Sequence, residues 1–379
     1  MANIDANRLF HSSRIVKSIS RTKVPQAVLS TAWGLNIGGR NTNPVGGNVA
    51  AYDIFDKTRT LATGRARGSG PSVQTRNPAG QKSITMHRSF EKFNLLDDEV
   101  FRRRPIGGDY GEVDLAGQKY VSRQEDFLAQ RFKNMREFMV SRMAITGGFG
   151  LLPSGQDLIP VESGTAGSIT VSYQMPAGNL TQLDMLGAGS IISISWATAA
   201  TATPIRDCLD ISAAMEQLAG YPLAHVWCDS TVWAEVTECT EVINLAGSAA
   251  SPFEYIRRDP SQVNEDGIQT DYFEAVLRGA PWITWHISNA VLDVNGTVTK
   301  TFGGTKALFT PEMSNDIVEM YEGSEMIREN ANDGGTERFG FHAWTTPTID
   351  PAGRDLKAID NCIPVLYKPD AIACGTVVF

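Results

Sequence analysis

From Gln118 to Thr146 no proline or glycine interrupts the chain, and Tyr120, Gln124, Phe127, Leu128, Phe132, Met135, Phe138, Met139, Arg142 and Met143 recur at three-and-four spacing. That spacing puts them along one side of an α-helix, and the Gly147-Gly148 pair ends it as a C-terminal glycine does. At 1.5 Å per residue the helix spans on the order of 43 Å, well beyond the three turns usual in globular proteins. A helix of that length crosses a domain, so the fold must be built along it. Phe127, Phe132, Met135, Phe138 and Met139 are expected to be its core contacts.

The second constraint is charge. Residues 1–92 carry 14 Lys and Arg against 4 Asp and Glu, although the whole chain of 379 residues has a formal net charge of -8. Eight basic residues (Lys57, Arg59, Arg65, Arg67, Arg76, Lys82, Arg88 and Lys92) lie between 57 and 92 with one acid, Glu91. Gly64, Gly68, Gly70, Pro71, Pro78 and Gly80 punctuate this stretch, and it lacks a core pattern. It reads as a long extended arm or open hairpin that needs an outside surface, since long structureless loops are usually functional or disordered. Nucleic acid would attract such a segment. However, 57–89 has no aromatic residue to stack on bases, and the remaining chain is acidic and repels a polyanion.

The five cysteines (Cys208, Cys228, Cys239, Cys362, Cys374) are odd in number and form no C-x-x-C pair, as expected of reduced core residues. The opening MANIDANRLFHSSRIVKSIS has no apolar signal region, and no run of about 18 apolar residues occurs, so no membrane association is expected.

Along the chain, residues 1–50 read as a basic arm. FNLLDDEVF reads as a short helical piece, and adjacent Asp97, Asp98 and Glu99 as a solvated turn rather than a metal site. SITVSYQM and SIISISW alternate like strands. Thr203-Pro204 starts a helix with Ile205, Cys208, Ile211, Met215 and Leu218 on one face, ended by Gly220. Asp229 or Ser230 starts another through about Leu245, with Val232, Val236, Cys239 and Ile243 inward. The strand candidates WITWHI, AVLDV, TKALFT and DIVEMYEG continue this second unit, and CIPVLYKPDAIACGTVVF closes the chain with two apolar strands.

Catalytic signatures are missing. Neither glycine cluster (107–111, 147–150) carries the lysine of a phosphate loop, G-x-S-x-G is absent, and the five histidines are isolated. His225 and His286 lie in apolar runs and are expected to be structural. No catalytic residue, cofactor or metal site is assigned.

Taken in order, FDKTRTLATGRARGSGPSV with KSITMHRSFEKFNLLDDE, then RRRPIGG with DLAGQKYVSRQEDFLAQRFKNMREFMVSRMAITGG, then residues 204–246 and IPVLYKPDAIACGTVV, resemble one family. It is the tailed-bacteriophage major capsid protein with the Hong Kong 97 fold, in the lambda-like major capsid protein E family. The resemblance covers essentially the whole chain. It implies an α+β Hong Kong 97-type capsid fold with an N-terminal arm (1–50), an extended loop (51–96) and a peripheral domain (97–202) with spine helix about 118–146 and a β segment. An axial domain (203–337) and a C-terminal return (338–379) follow. It implies a non-enzymatic subunit that self-assembles into hexamers and pentamers of an icosahedral shell around double-stranded DNA. Lys57, Arg59, Arg65, Arg67, Arg76, Lys82 and Arg88 would lie in the loop that crosses a neighbour. No long scaffold-like region precedes the arm, so scaffolding is expected to be a separate protein, beside a portal and room for a decoration protein. The expected location is the virion capsid, assembled in the host cytoplasm. A Lys and Asn cross-linking pair is not matched. A protein-packaging cellular nanocompartment shell and an unrelated α+β enzyme remain as alternatives.

Overall fold

The computed structural model describes residues 12–22, 24, 26–54, 80–96, 115–155, 157–181, 183–245, 251–258, 272–328, 335–348 and 353–379. The chain opens with helices α1 (Ser12–Arg21) and α2 (Val28–Ala32), then strands β1 (Thr42–Val45), β2 (Val49–Ile54), β3 (Gly80–Thr85) and β4 (His87–Leu96). The spine helix α3 (Leu115–Thr146) leads into β5 (Gly148–Ser154), β6 (Asp157–Glu162), β7 (Ile169–Ser172) and the short β8 (Leu180–Thr181). Helix α4 (Pro204–Leu218), β9 (His225–Cys228), α5 (Ser230–Glu238) and α6 (Thr240–Leu245) come next. Then follow β10 (Phe253–Arg258), β11 (Phe273–Leu277), β12 (Thr284–Ile287), β13 (Val291–Val294), β14 (Thr297–Lys300) and β15 (Lys306–Thr310). The last strands are β16 (Val318–Ile327), β17 (Thr336–Phe339), β18 (His342–Thr348), β19 (Gly353–Leu366) and β20 (Ala373–Thr376).

Two sheets organise these elements. In the first, the 14-residue β19 is central: β16 and β18 pair in succession along one edge, and β4 pairs along the other from Gly353↔Leu96 to Cys362↔His87. β1 joins β16 in parallel and β17 joins it antiparallel. The second sheet has the order β10-β11-β12-β9-β15-β20-β8. Its core takes Ile205, Cys208, Ile211 and Met215 from α4 and Val232, Val236 and Val242 from the next two helices. Between β19 and β20 the chain turns at Pro369–Ala371 and crosses from one sheet to the other. All five cysteines are buried and free.

The spine helix belongs to two cores in succession. Leu128, Ala129 and Phe132 pack with Ile15, Ile19, Leu356 and Ala358, whereas Phe138, Met139, Val140 and Met143 pack with Phe149, Tyr173 and Ile363. From Arg136 to Ile145 every residue is buried, so this half is wrapped on all sides.

That asymmetry corrects one core expectation. Phe127 is 54% exposed, because it lies in the half of the helix that is covered on one face only. Met135 is half-buried against the core, and Phe132, Phe138 and Met139 are buried. Phe132→Asp is therefore expected to abolish soluble expression, since losing a buried phenylalanine costs about 3–5 kcal/mol before the charge is counted. Phe127→Asp is expected to express normally and to melt within a few degrees of the parent.

Four other expectations change. FNLL is not helical: Phe93–Leu96 completes β4, whose backbone is satisfied by β19. SIISISW forms no ladder among the described residues; Ser190 Oγ donates to Ile192 O (2.9 Å), and the Trp196 amide donates to Val377 O (2.8 Å). The helix expected through Leu245 breaks at Cys239, whose backbone is extended, and Ile243 and Leu218 are exposed. Finally, DIVEMYEG does not continue the second unit, because β16 pairs with β19 and with β1 of the arm.

Candidate functional site

The strands on either side of the basic segment form a two-stranded stem. β2 and β3 pair antiparallel from Val49↔Thr85 to Ile54↔Gly80, with Tyr52 opposite Lys82. Alternation in β2 sends Ala50 and Tyr52 inward, and Ile84 and Met86 join them in the main core. Gly47 N donates to Ser324 Oγ at 2.9 Å, tying the stem to β16. Gly323 makes this approach possible: a Cβ there would lie 2.5 Å from Met86 Sδ and 2.8 Å from Gly47 O.

Lys57, Arg59, Arg65, Arg67 and Arg76 lie outside the described residues. Lys82 is half-buried, its ammonium has no hydrogen-bond partner among the described residues, and burial holds it below the usual lysine range. Arg88 is engaged within its own chain, with Nη2 3.2 Å from Glu325 Oε1 and its guanidinium 5.2 Å from the Phe90 ring centre. Lys92 likewise lies 3.5 Å from Asp355. Of the seven basic residues expected in the loop that crosses a neighbour, Arg88 thus pairs with Glu325 of its own chain.

The stem stands beside a charged hub that sequence reasoning missed. Arg136 is fully buried; its Nε and Nη2 grip Asp360 at 2.8 and 2.7 Å, Nη2 also meets Glu322 at 2.9 Å, and Nη1 donates to Leu35 O at 3.3 Å. Burial alone would lower its pKa, but Asp360, Cys362 and Glu322 outweigh burial and hold the guanidinium charged. Glu322 is nevertheless pushed up, first by burial and against the pull of Arg136. The two directions agree once geometry is considered: Asp360 takes the bidentate fork, whereas Glu322 shares one nitrogen of Arg136 and is repelled by Asp360.

One turn before Arg136, and again at the residue just after it, the same helix pins the arm. Lys133 Nζ donates to Ser20 O (3.1 Å) and Thr22 O (2.6 Å) at the end of α1, and Glu137 accepts from the Leu29 (3.0 Å) and Ser30 (2.7 Å) amides at the start of α2. Each charge complements the partial charge at that helix end. The arm expected over residues 1–50 is, through its described part, packed on the spine. The missed signal was in the sequence: Phe132, Arg136 and Val140 share a face at spacing of four, so a charge stood in the middle of a core stripe.

Burial lifts Glu137 to about 7, against the amides of Ser30 and Leu29, and presses Lys133 down to about 8. A carboxyl whose folded pKa exceeds its unfolded value of 4.5 binds the extra proton in the native state. Its contribution is complete below about pH 4.5 and is lost as pH rises through 7; Lys133, depressed, behaves oppositely, losing stability as pH falls from about 10.5 to 8. Glu137→Gln should therefore remove a decline on the order of 3 kcal/mol between pH 4.5 and 7, read by denaturant titration of unassembled subunits. An unchanged slope would show that Glu137 does not titrate there.

His225 and His286 form a hydrogen-bonded chain: Glu312 to His225 at 2.9 Å, His225 to His286 at 3.0 Å, His286 to Tyr272 at 2.8 Å and Tyr272 to Glu274 at 2.9 Å. His286 stacks on Trp227 at 3.9 Å, and burial, then His225, holds it down to about 3. The pair joins β9 to β12 as a structural link. Among the described residues no group of three or more His, Cys, Asp or Glu is placed to hold a metal, and no helix is long and apolar enough to cross a membrane.

Comparison with known proteins places this architecture. Residues 31–377 match the family described as phage major capsid protein E. No curated protein sequence matches the chain. A prophage protein from E. coli CFT073, described as a capsid protein, shares the fold with a TM-score of 0.59 at 14% identity over 97% of this chain and 99% of that one. A phage-related protein from Bordetella bronchiseptica RB50 aligns with a TM-score of 0.55 at 11% identity over 96% of both chains. The family is structural rather than enzymatic, and its fold is the Hong Kong 97 type. With one family model running from residue 31 to residue 377, this chain belongs to the phage major capsid protein E family.

Proposed function

We propose that the chain assembles with copies of itself into hexamers and pentamers of an icosahedral head shell enclosing double-stranded DNA. The observation that carries this is the stem: a hairpin anchored in the core of a capsid-family subunit, whose two strands are connected by residues 55–79 with five basic residues and one acid. Such a segment gains little from its own chain and much from an acidic neighbour. The first sheet with the spine serves as the peripheral unit, and the second sheet with α4 to α6 as the axial unit. The basic segment bridges adjacent subunits. Apolar burial supplies most of the affinity and charge sets register, because one exposed ion pair is worth about 0–1 kcal/mol. Scaffolding and portal proteins are separate chains in this reading, and assembly takes place in the host cytoplasm.

Electron microscopy of the purified protein tests it. Closed shells or capsomers are expected, and nuclease-protected DNA inside native particles. A monodisperse small oligomer under every assembly condition would overturn the reading. Shells filled with protein and free of nucleic acid would instead identify a nanocompartment.

A further inference from the structure

At the foot of the stem a cleft of about 730 Å³ opens between β2, β16 and the turn after β19. Its walls include Tyr52, Tyr321 and Tyr367, with ring centres 5.8 Å (Tyr52 to Tyr367) and 6.5 Å (Tyr321 to Tyr367) apart. Three carboxylates, Asp53, Asp316 and Glu319, share the cleft with one lysine, Lys368. The Tyr367 hydroxyl donates to Glu319 Oε2 at 2.9 Å and lies 2.8 Å from the Tyr321 hydroxyl, so that wall is already fixed in place. Tyr52 is different. It is 4% exposed, and its hydroxyl is shielded from water without a hydrogen-bond partner among the described residues, a state that is costly for a buried polar group.

Aromatic faces beside an excess of carboxylates select a planar cation. A guanidinium can stack on a tyrosine ring while donating to a carboxylate and to a phenol, whereas a compact ammonium satisfies fewer of these at once. An arginine side chain on a peptide also brings backbone carbonyls, which would accept from a phenol. Residues 57–76 of this chain carry Arg59, Arg65, Arg67 and Arg76 with no acid among them.

We propose that this cleft receives an arginine from residues 57–76 of a second copy of the chain. The proposal rests on the shell reading and adds a receptor to it: the surface that the basic segment seeks is the foot of another subunit's stem. The stem would then be both donor and acceptor, offering its tip to one neighbour and its base to another, which is the head-to-tail relation that closes rings. Asp53 and Asp316 are exposed and make no hydrogen bond or ion pair among the described residues, so they are available to an incoming cation.

Two measurements test it, starting from wild-type protein that forms shells. Neutralising the cleft with Asp53→Asn and Asp316→Asn should leave subunit denaturation unchanged and raise the concentration needed for assembly about tenfold, with a weaker salt dependence. For position, chains carrying Asp316→Cys are mixed with chains carrying Arg59→Cys, Arg65→Cys, Arg67→Cys or Arg76→Cys, assembled and oxidised with copper phenanthroline. At least one mixture should give disulfide-linked dimers, against a low background because the native cysteines are buried. Unchanged assembly together with no dimer from any mixture would overturn the inference and leave the shell reading intact. A disulfide formed only when both cysteines share one chain would assign the cleft to the chain's own segment and overturn the second-copy claim. Wild-type protein that forms no shell would overturn both.

Discussion

Arg136→Met is expected to destabilise the unassembled subunit by about 3–5 kcal/mol at neutral pH, enough to unfold many domains. The lost attraction is the smaller part. Asp360, 2% exposed, and Glu322 would remain as two carboxylates facing each other in the core with no cation between them. Arg136→Lys should recover little, because an ammonium cannot reproduce the two-pronged grip on Asp360 while also reaching Glu322 and Leu35 O. The triple change Arg136→Met, Asp360→Asn, Glu322→Gln should recover most of the loss, since it removes the orphaned charges as well as the cation.

The pH dependence of Arg136→Met has a definite sign. Burial already raises Glu322, and without the guanidinium the pull that opposes this is gone, so its contribution would be present at low pH and lost as pH rises. The variant should therefore approach wild-type stability near pH 4 and diverge toward pH 7. Denaturant titrations at the two pH values measure this, and a penalty that grows on acidification would contradict the assignment.

Reversing Arg65, Arg67 and Arg76 to Glu should have the largest effect on assembly: a soluble, folded subunit that closes no shells. These are charged positions in a Gly- and Pro-punctuated stretch without a core pattern, so subunit stability should change little. At the interface each substitution turns an attraction of about 0–1 kcal/mol into a repulsion of similar size. Summed over three positions and repeated at every contact of a lattice, that opposes closure, because a shell depends on many weak contacts made together. Replacing the same residues by Gln should give a milder defect that high salt no longer distinguishes from wild type, since screening already weakens exposed pairs. Normal particles from the Glu variant, seen by electron microscopy and sedimentation, would show that the segment's charge has no part in register.

How much of this was legible beforehand can be seen residue by residue. The spine helix was, to within three residues at its start, because apolar spacing and the absence of breakers act locally. The buried cysteines were also readable, from their spacing, whereas the arm-or-hairpin alternative was decided only by the pairing of β2 with β3. Phe127 was misread because periodicity gives a helix face but not which half of the helix is covered. DIVEMYEG was recognisable as a strand, yet its alternation could not say which sheet it joins. SIISISW alternates equally well and forms no ladder, because its backbone groups find loop and long-range partners instead.

What the sequence by itself determined was local or summed: the spine, the charge asymmetry and the order of residues that marks the family. What only the tertiary structure decided was pairing at a distance. Arg136 meets partners 186 and 224 residues away, and the tyrosine cleft gathers residues from β2, β16 and the turn after β19. Propensity and periodicity act over a few residues, whereas a buried charge or an orphaned hydroxyl is defined by which segments the closed fold brings within about 3 Å of it.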